Sequence, residues 1–258
     1  MLPFVLFCEA RTGSTTLMRI FNLHAEIHCL DEPFNHDCSP AYAERVAGTE
    51  SLDQVLAEIW QTHNGIKHVA DPSGWPFKEA GLNHNLLLNP AHDLILLARR
   101  NRLRRAVSVE IARQAEVWQP WNEEDRNRSW FFKYSPIPTA RLRTRLDADA
   151  RFLEGVNSDV RIRAGRSFVL DYEDLFGDAH SQTIVIVNKM IAFLGLDIFQ
   201  SATVPKIIEI LDLCTSVTAS DSRNLYRLIP NIDEIEAELG SAEIGWLFKE
   251  LECRKNWN

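Results

Sequence analysis

A short apolar run passes into a small, basic, hydroxyl-rich turn near the start of the chain, over residues 3–17. The residues after the turn are predicted to begin a helix. A helix N-terminus binds phosphate or sulfate through its unpaired N–H groups and its dipole. Arg11 adds a full charge, and Gly13 lets the backbone curl around a ligand. Hydroxyl groups that can donate to an anion stand at Thr12, Ser14, Thr15 and Thr16. This pattern predicts an anion site at the turn.

The turn differs from the loop that binds nucleoside triphosphates, which reads Gly-x-x-x-x-Gly-Lys-Ser/Thr. When Gly13 is aligned with the second glycine of that pattern, Cys8 stands at the first glycine and Ser14 at the lysine. Because the lysine that holds the β- and γ-phosphates is missing, we expect an anion other than ATP.

A second junction of an apolar run with a helical pattern lies at residues 93–108. The apolar run ends in arginines, and Ser108 follows Arg100 by eight residues. Arginines crowd this junction, although the net charge of the 258-residue chain is −8. The negative net charge argues against general nucleic-acid binding, and the local positive charge favours a small anionic ligand. We expect the arginines beyond Arg100 to form a solvated, ion-paired helix face: Arg102, Arg104 and Arg105.

Together, the two junctions resemble those of the sulfotransferases that use 3′-phosphoadenosine 5′-phosphosulfate (PAPS). In that family an arginine at a strand end and a serine eight residues later grip the 3′-phosphate, and the matching residues here are Arg100 and Ser108. Arg11-Thr12-Gly13-Ser14-Thr15 resembles the 5′-phosphosulfate loop of the family's bacterial branch. Residues 169–175 resemble a recurring segment near the nucleotide. The resemblance implies a P-loop-like α/β fold, with PAPS as donor and adenosine 3′,5′-bisphosphate (PAP) as product.

Sulfuryl transfer, the activity that this resemblance implies, needs charge stabilisation at the leaving phosphate and a base for the acceptor hydroxyl. Arg11 and the amides of residues 13–16 are expected to stabilise that charge, so that no metal is required. A similar Glu-Pro segment in bacterial relatives points to Glu32 as the base, with Asp31 as its competitor. Pro33 is expected to hold the backbone of Glu32 in an extended geometry.

Residues 65–69 contain two further candidates. Because side chains alternate along a strand, Lys67 and His68 are expected on opposite faces. Lys67 would then neutralise the transferring sulfuryl oxygens, as a strand lysine does in relatives. His68 would be the base if the register were reversed.

Further ligand contacts are expected nearer the C-terminus. Tyr172 is expected either to stack on the adenine or to pack in the core. Arg223 has the polarity to replace the late Arg-Lys-Gly segment of animal relatives, which this chain lacks. Aromatic residues within 118–138 would suit a sugar, a phenol or a lipid head group, or would only pack. The acceptor is expected to be a small-molecule or carbohydrate hydroxyl, and no motif specifies its identity or the oligomeric state.

Strand-like and helix-like segments alternate, which predicts an α/β fold whose parallel sheet is flanked by helices on both faces. Strands are expected at residues 4–8, 66–70, 94–98 and 167–170, with a return strand leading to Glu32. Helices are expected near residues 14–24, 51–62, 102–116, 138–154, 180–195 and 232–252. Ligands of such sheets bind beyond the carboxyl ends of the strands. No linker or repeat divides the chain, so a single domain is expected over residues 1–258, with 118–138 as an insert that has no clean helical or strand period.

Composition sets further limits. Hydrophobic residues make up 45% and charged residues 25%, as in soluble proteins. No apolar run approaches the roughly 20 residues that span a membrane, so a cytoplasmic protein without a membrane span is expected. The five cysteines are odd in number and lack paired metal-ligand spacing, which favours reduced thiols and argues against a structural zinc.

Two alternative functions compete with sulfuryl transfer. A metal-dependent small-molecule kinase or another nucleotide-binding protein would share the topology, and the missing P-loop lysine counts against it. A non-catalytic protein that binds PAP would keep the donor motifs but carry an inert Glu32 and Lys67.

Overall fold

The computed structural model describes residues 2–48, 50–77, 80–118, 122–176, 180–218 and 224–249. Backbone contacts divide the chain into two compact units. The first consists of Met1–Ala98 and Asp149–Leu211, and the second consists of Arg99–Ala148 and Asp212–Asn258.

The first unit contains a five-stranded sheet in the order β2-β3-β1-β4-β5, with every neighbouring pair parallel. Its strands are β1 Phe4–Cys8, β2 Cys29–Asp31, β3 Gly65–Val69, β4 Asp93–Ala98 and β5 Ser167–Asp171. Residues of β1 and β3 are buried throughout, and β1 accordingly reads as a continuous apolar run. The four strand predictions are confirmed to within one residue, and β2 is the return strand that leads to Glu32.

The described helices begin and end at α1 Ser14–Phe21, α2 Pro40–Ala47, α3 Leu52–Ile59, α4 Ala80–Leu88, α5 Arg102–Ala115, α6 Glu123–Phe131, α7 Thr139–Ile162, α8 Tyr172–Leu175, α9 His180–Phe193, α10 Val204–Thr218 and α11 Ile232–Leu239. Local signals explain several starts. Ser51 and Gln54 form a capping box at α3, and Asn101 caps α5 by accepting from the N–H of Arg104. None of the helices in the described ranges is long and apolar enough to cross a bilayer.

Both faces of the sheet are covered by helices. On one face, Phe4 and Leu6 of β1 pack with apolar residues of α1, α9 and α10. On the other face, Val5 and Phe7 pack with α3, α4 and the C-terminal half of α7. The predicted α/β architecture, a parallel sheet flanked by helices on both faces, is thereby confirmed.

The second unit has its own core. The stripe expected on α5, Leu103, Val107 and Ile111, is buried there against α7 and α11. The predicted helix over residues 232–252 is wrong beyond Leu239, because Gly240 leaves the helical conformation and Ser241 pairs with Gly245 in an antiparallel bridge. Residues 250–252 lie outside the described residues.

The insert at residues 118–138 also differs from its prediction, which gave it no regular structure. It contains α6, which is capped by Asn122 through the N–H of Asp125 and has three acidic residues in its first turn. Its aromatic residues divide between packing and exposure. Tyr134 is buried and donates to the carbonyl of Ser129, whereas Phe131 is 85% exposed.

Candidate functional site

The turn between β1 and α1 forms an open helix N-terminus. Gly13 is the N-cap residue in a left-handed conformation (φ 79°), and no side chain caps the helix. Arg11 is also left-handed (φ 67°), which is uncommon outside glycine. Such a conformation persists where the surrounding structure constrains the backbone. The first turn of α1 contains no acidic residue. The backbone N–H groups at this end of α1 therefore suit an anion.

Gly13 is required by sterics as well as by its φ angle. A Cβ atom at this position would lie 2.4 Å from the ring of Phe176. The ring of Tyr172, which opens α8, lies 4.9 Å from the same Phe176 ring between centroids. The structure thus brings Tyr172, through Phe176, next to the predicted anion loop.

The loop hydroxyls have different surroundings. The Thr12 side chain is fully buried, and its hydroxyl donates to the carbonyl of Glu9 at 2.8 Å. Ser14 is also buried and interacts with the thiol of Cys8, whose pKa is raised to about 12, mainly by burial. Thr15 is half-buried, and its Oγ1 accepts a hydrogen bond from the Lys67 ammonium at 2.8 Å.

Lys67 is the central charge of the site. Its side chain is 1% exposed, and Nζ lies 2.7 Å from Asp31 Oδ1 and 2.9 Å from Glu32 Oε1, in addition to Thr15. Burial alone lowers the pKa of this ammonium, but Glu32 and Asp31 outweigh burial and raise the pKa above its ordinary value. Lys67 is therefore charged, and it combines one hydrogen bond to Thr15 with ion pairs to the two carboxylates.

Both carboxylate oxygens of Glu32 have partners. Lys67 contacts Oε1, and the side-chain amide of Asn35 donates to Oε2 at 2.8 Å. The φ angle of Glu32 is 41°, so the predicted extended backbone is wrong: the chain turns sharply, and the N–H of Asn35 donates to the Glu32 carbonyl. Sequence reasoning gave Asn35 no role, although its spacing of three residues from the candidate base was visible.

His68 lies on the opposite face of β3 from Lys67, as the strand period predicts. It is 1% exposed, stacks on Phe77 and contacts Phe7, and its Nε2 shares a 2.7 Å hydrogen bond with Asn83. Burial lowers its pKa to about 4. Because its ring is enclosed by aromatic side chains, the structure does not bring His68 to the site of Lys67 and Glu32.

The candidates for the 3′-phosphate lie in the second unit. Arg100 is half-buried and immediately precedes Asn101, the cap of α5, while Ser108 is 8% exposed within that helix. The expectation of a solvated helix face is wrong for Arg105, which is 1% exposed. Arg104 donates instead to the carbonyl of Leu247. Arg223 lies outside the described residues.

The cysteines and the acidic and histidine side chains bear on metal binding. In the part of the chain that the structure describes, no group of three or more His, Cys, Asp or Glu residues could hold a metal ion. Cys8, Cys29 and Cys38 are free thiols. The side chains of Cys214 and Cys253 lie outside the described residues.

Similarity to known proteins is found among the solved structures. No family model matches the chain, and no curated protein matches it. The solved structures that are similar to this chain include the crystal structure of a sulfotransferase from Alicyclobacillus acidocaldarius. The two are 13% identical, the match covers 86% of this chain and 99% of that one, and the TM-score is 0.42.

Proposed function

We propose that this protein transfers a sulfuryl group from PAPS to a hydroxyl of a small-molecule or carbohydrate acceptor. One observation carries the proposal: a single buried ammonium, Lys67, contacts both Thr15 of the anion loop and the carboxylate of Glu32. The proposed anion site and the proposed base would thus lie side by side, which is the arrangement that transfer to a hydroxyl needs.

The residues of the first unit fit the 5′ end of the donor. The uncapped N-terminus of α1 and the guanidinium of Arg11 would hold its phosphosulfate, with Gly13 allowing close approach of the backbone. The donor supplies an activated sulfuryl group, whose S–O bond to the 5′-phosphate breaks as a bond to the acceptor oxygen forms. Charge stabilisation on the phosphate side then comes from N–H donors of the chain.

Glu32 serves as the general base in this proposal. It takes the proton of the acceptor hydroxyl, while Lys67 and Asn35 keep its two oxygens oriented. Asp31 places a second carboxylate against the single charge of Lys67. His68, enclosed in the core, is not proposed as the base.

The rest of the donor and the acceptor are assigned by the sequence resemblance. We propose that Arg100 and Ser108 bind the 3′-phosphate, that Tyr172 stacks on the adenine and that Arg223 closes over the nucleotide. The aromatic residues of 118–138 are proposed to face the acceptor. The whole chain, residues 1–258, would act as one sulfotransferase domain in the cytoplasm.

Ligand-dependent stabilisation tests this function first. PAP without added metal should raise the melting temperature by about 5 °C or more at a hundredfold excess over its Kd, since it binds only the native state. Equal or larger stabilisation by magnesium-ATP would support a kinase and contradict the proposal.

Transfer itself is measured with 35S-labelled PAPS and pooled hydroxyl-bearing metabolites. Label in an acceptor, lost in Glu32→Gln, is expected. PAP binding without any transfer, with every pool tested, would point to the non-catalytic alternative.

A further inference from the structure

Three oxygens of the protein surround the Lys67 ammonium. Its Nζ donates a hydrogen bond to Thr15 Oγ1 at 2.8 Å and forms ion pairs with Asp31 Oδ1 at 2.7 Å and Glu32 Oε1 at 2.9 Å. Direct contact with a bound sulfate or phosphate would require one of these to be given up. Releasing Glu32 would leave its Oε1 without the ammonium in a site where Lys67 is 1% and Glu32 is 11% exposed, which is costly.

Thr15 is placed to act in place of Lys67. A hydroxyl has one donor and two acceptor lone pairs, and an ammonium can only donate. The bond from Lys67 therefore occupies the Thr15 oxygen and directs its proton elsewhere. Among the residues that the structure describes, no acceptor for this proton is found, and Thr15 is half-buried at the second position of α1, in the turn that presents the N–H groups.

We propose that Lys67 acts on the bound donor through Thr15: the ammonium orients and polarises the Thr15 hydroxyl, which donates to the 5′-phosphosulfate group. Lys67 is then a positioning residue, and Thr15 is the one that touches the ligand. The inference rests on the proposed function, because it takes the anion of the α1 N-terminus to be the 5′ end of PAPS or PAP. Chained hydrogen bonds of this kind strengthen one another at low dielectric.

A double-mutant cycle on PAP binding, measured by calorimetry, tests the relay. Thr15→Val, which removes only the hydroxyl, should weaken PAP about tenfold, the size of a charge-assisted hydrogen bond. Thr15→Ser should recover most of that loss. In a Lys67→Met background, Thr15→Val should cost threefold or less, because the hydroxyl is no longer oriented. Thr144→Val, which removes a hydroxyl bonded to the carbonyl of Ala140 on α7, is the matched control.

Adenosine 3′-monophosphate separates this role from a merely structural one, because it lacks the 5′ group. Its affinity should be the same in wild type, Thr15→Val and Lys67→Met. If Lys67→Met does not fold, Lys67→Met/Glu32→Gln removes opposite charges together and replaces it in the cycle.

The outcomes are distinct. Failure of the wild type to bind PAP would contradict the proposed function. PAP binding by the wild type with multiplicative losses in the cycle would overturn the relay alone, as would an unchanged affinity of Thr15→Val or equal losses for adenosine 3′-monophosphate.

Discussion

Glu32 is tied to Lys67 twice, once through the backbone and once through the side chain. Its N–H donates to the Lys67 carbonyl at 3.0 Å, and its Oε1 lies 2.9 Å from the Lys67 ammonium. The first contact continues the pairing of β2 with β3 by one residue, and the second places the carboxylate at the sheet edge where α1 begins. The candidate base is thus held by two contacts next to the predicted anion loop.

Replacing the base should separate binding from turnover. Glu32→Gln keeps the shape of the side chain and removes the basic oxygen, so kcat should fall at least a hundredfold with PAP affinity retained, the range expected for a general base. Single-turnover rates with saturating PAPS measure it. Glu26→Gln, at an exposed position, is the matched control. Turnover within a few-fold of wild type would remove Glu32 from the mechanism.

Glycine at position 13 should be essential for the loop. Gly13→Ala forces a side chain into a left-handed conformation, which costs about 1–2 kcal/mol, and drives its Cβ into the ring of Phe176. Both the free energy of unfolding and PAP affinity should fall. The control is Gly155→Ala, in the interior of α7 with no atom near the added Cβ, which should stabilise the protein by about 0.5–1 kcal/mol. A Gly13→Ala protein of wild-type stability would show that the turn can rearrange.

Selectivity for the 3′-phosphate should depend on the second unit. Arg100→Ala should weaken PAPS about tenfold or more and leave adenosine 5′-phosphosulfate, which lacks the 3′-phosphate, little changed. Ser108→Ala should act in the same direction. Calorimetry with both ligands measures this, and Arg102→Ala, which removes a partner of Glu243, is the control. Equal losses for both ligands would contradict the assignment.

Acid should destabilise the fold through buried histidines. Burial lowers the pKa of both His68 and His92 to about 4, so below pH 6.5 the unfolded chain binds protons that the folded chain does not. The contribution of each neutral buried histidine to the free energy of unfolding is present above pH 6.5 and is lost as the pH falls towards 4. Between pH 7.5 and 5.0 the loss is about 2 kcal/mol per histidine. Urea unfolding over this range should show the loss. His68→Gln should be less stable at pH 7.5 but show a smaller slope, and an unchanged slope would exclude His68 as a source.

Many of the strands and helices of this protein are determined by local sequence. Strands buried on both faces are mostly apolar, so β1 and β4 are recognisable as apolar runs, and the two-residue period already separates Lys67 from His68. The anion loop is also legible, because the position of Gly13, the hydroxyl residues and the start of α1 are neighbours in the chain. The burial of Arg105 is not recognisable from the sequence, since it depends on packing rather than on local propensity.

What only the tertiary structure decided is which polar groups meet. Thr15, Asp31 and Glu32 converge on Lys67 because parallel pairing of β2 with β3, and packing of α1 on the sheet, bring together residues up to 52 positions apart. No spacing rule encodes that convergence. The same pairing turns Glu32 into a left-handed conformation and leaves its carboxylate between Lys67 and Asn35. The sequence by itself determined which residues could do chemistry at the sheet edge, and the fold decided which of them touch, because contacts between distant segments are set by packing.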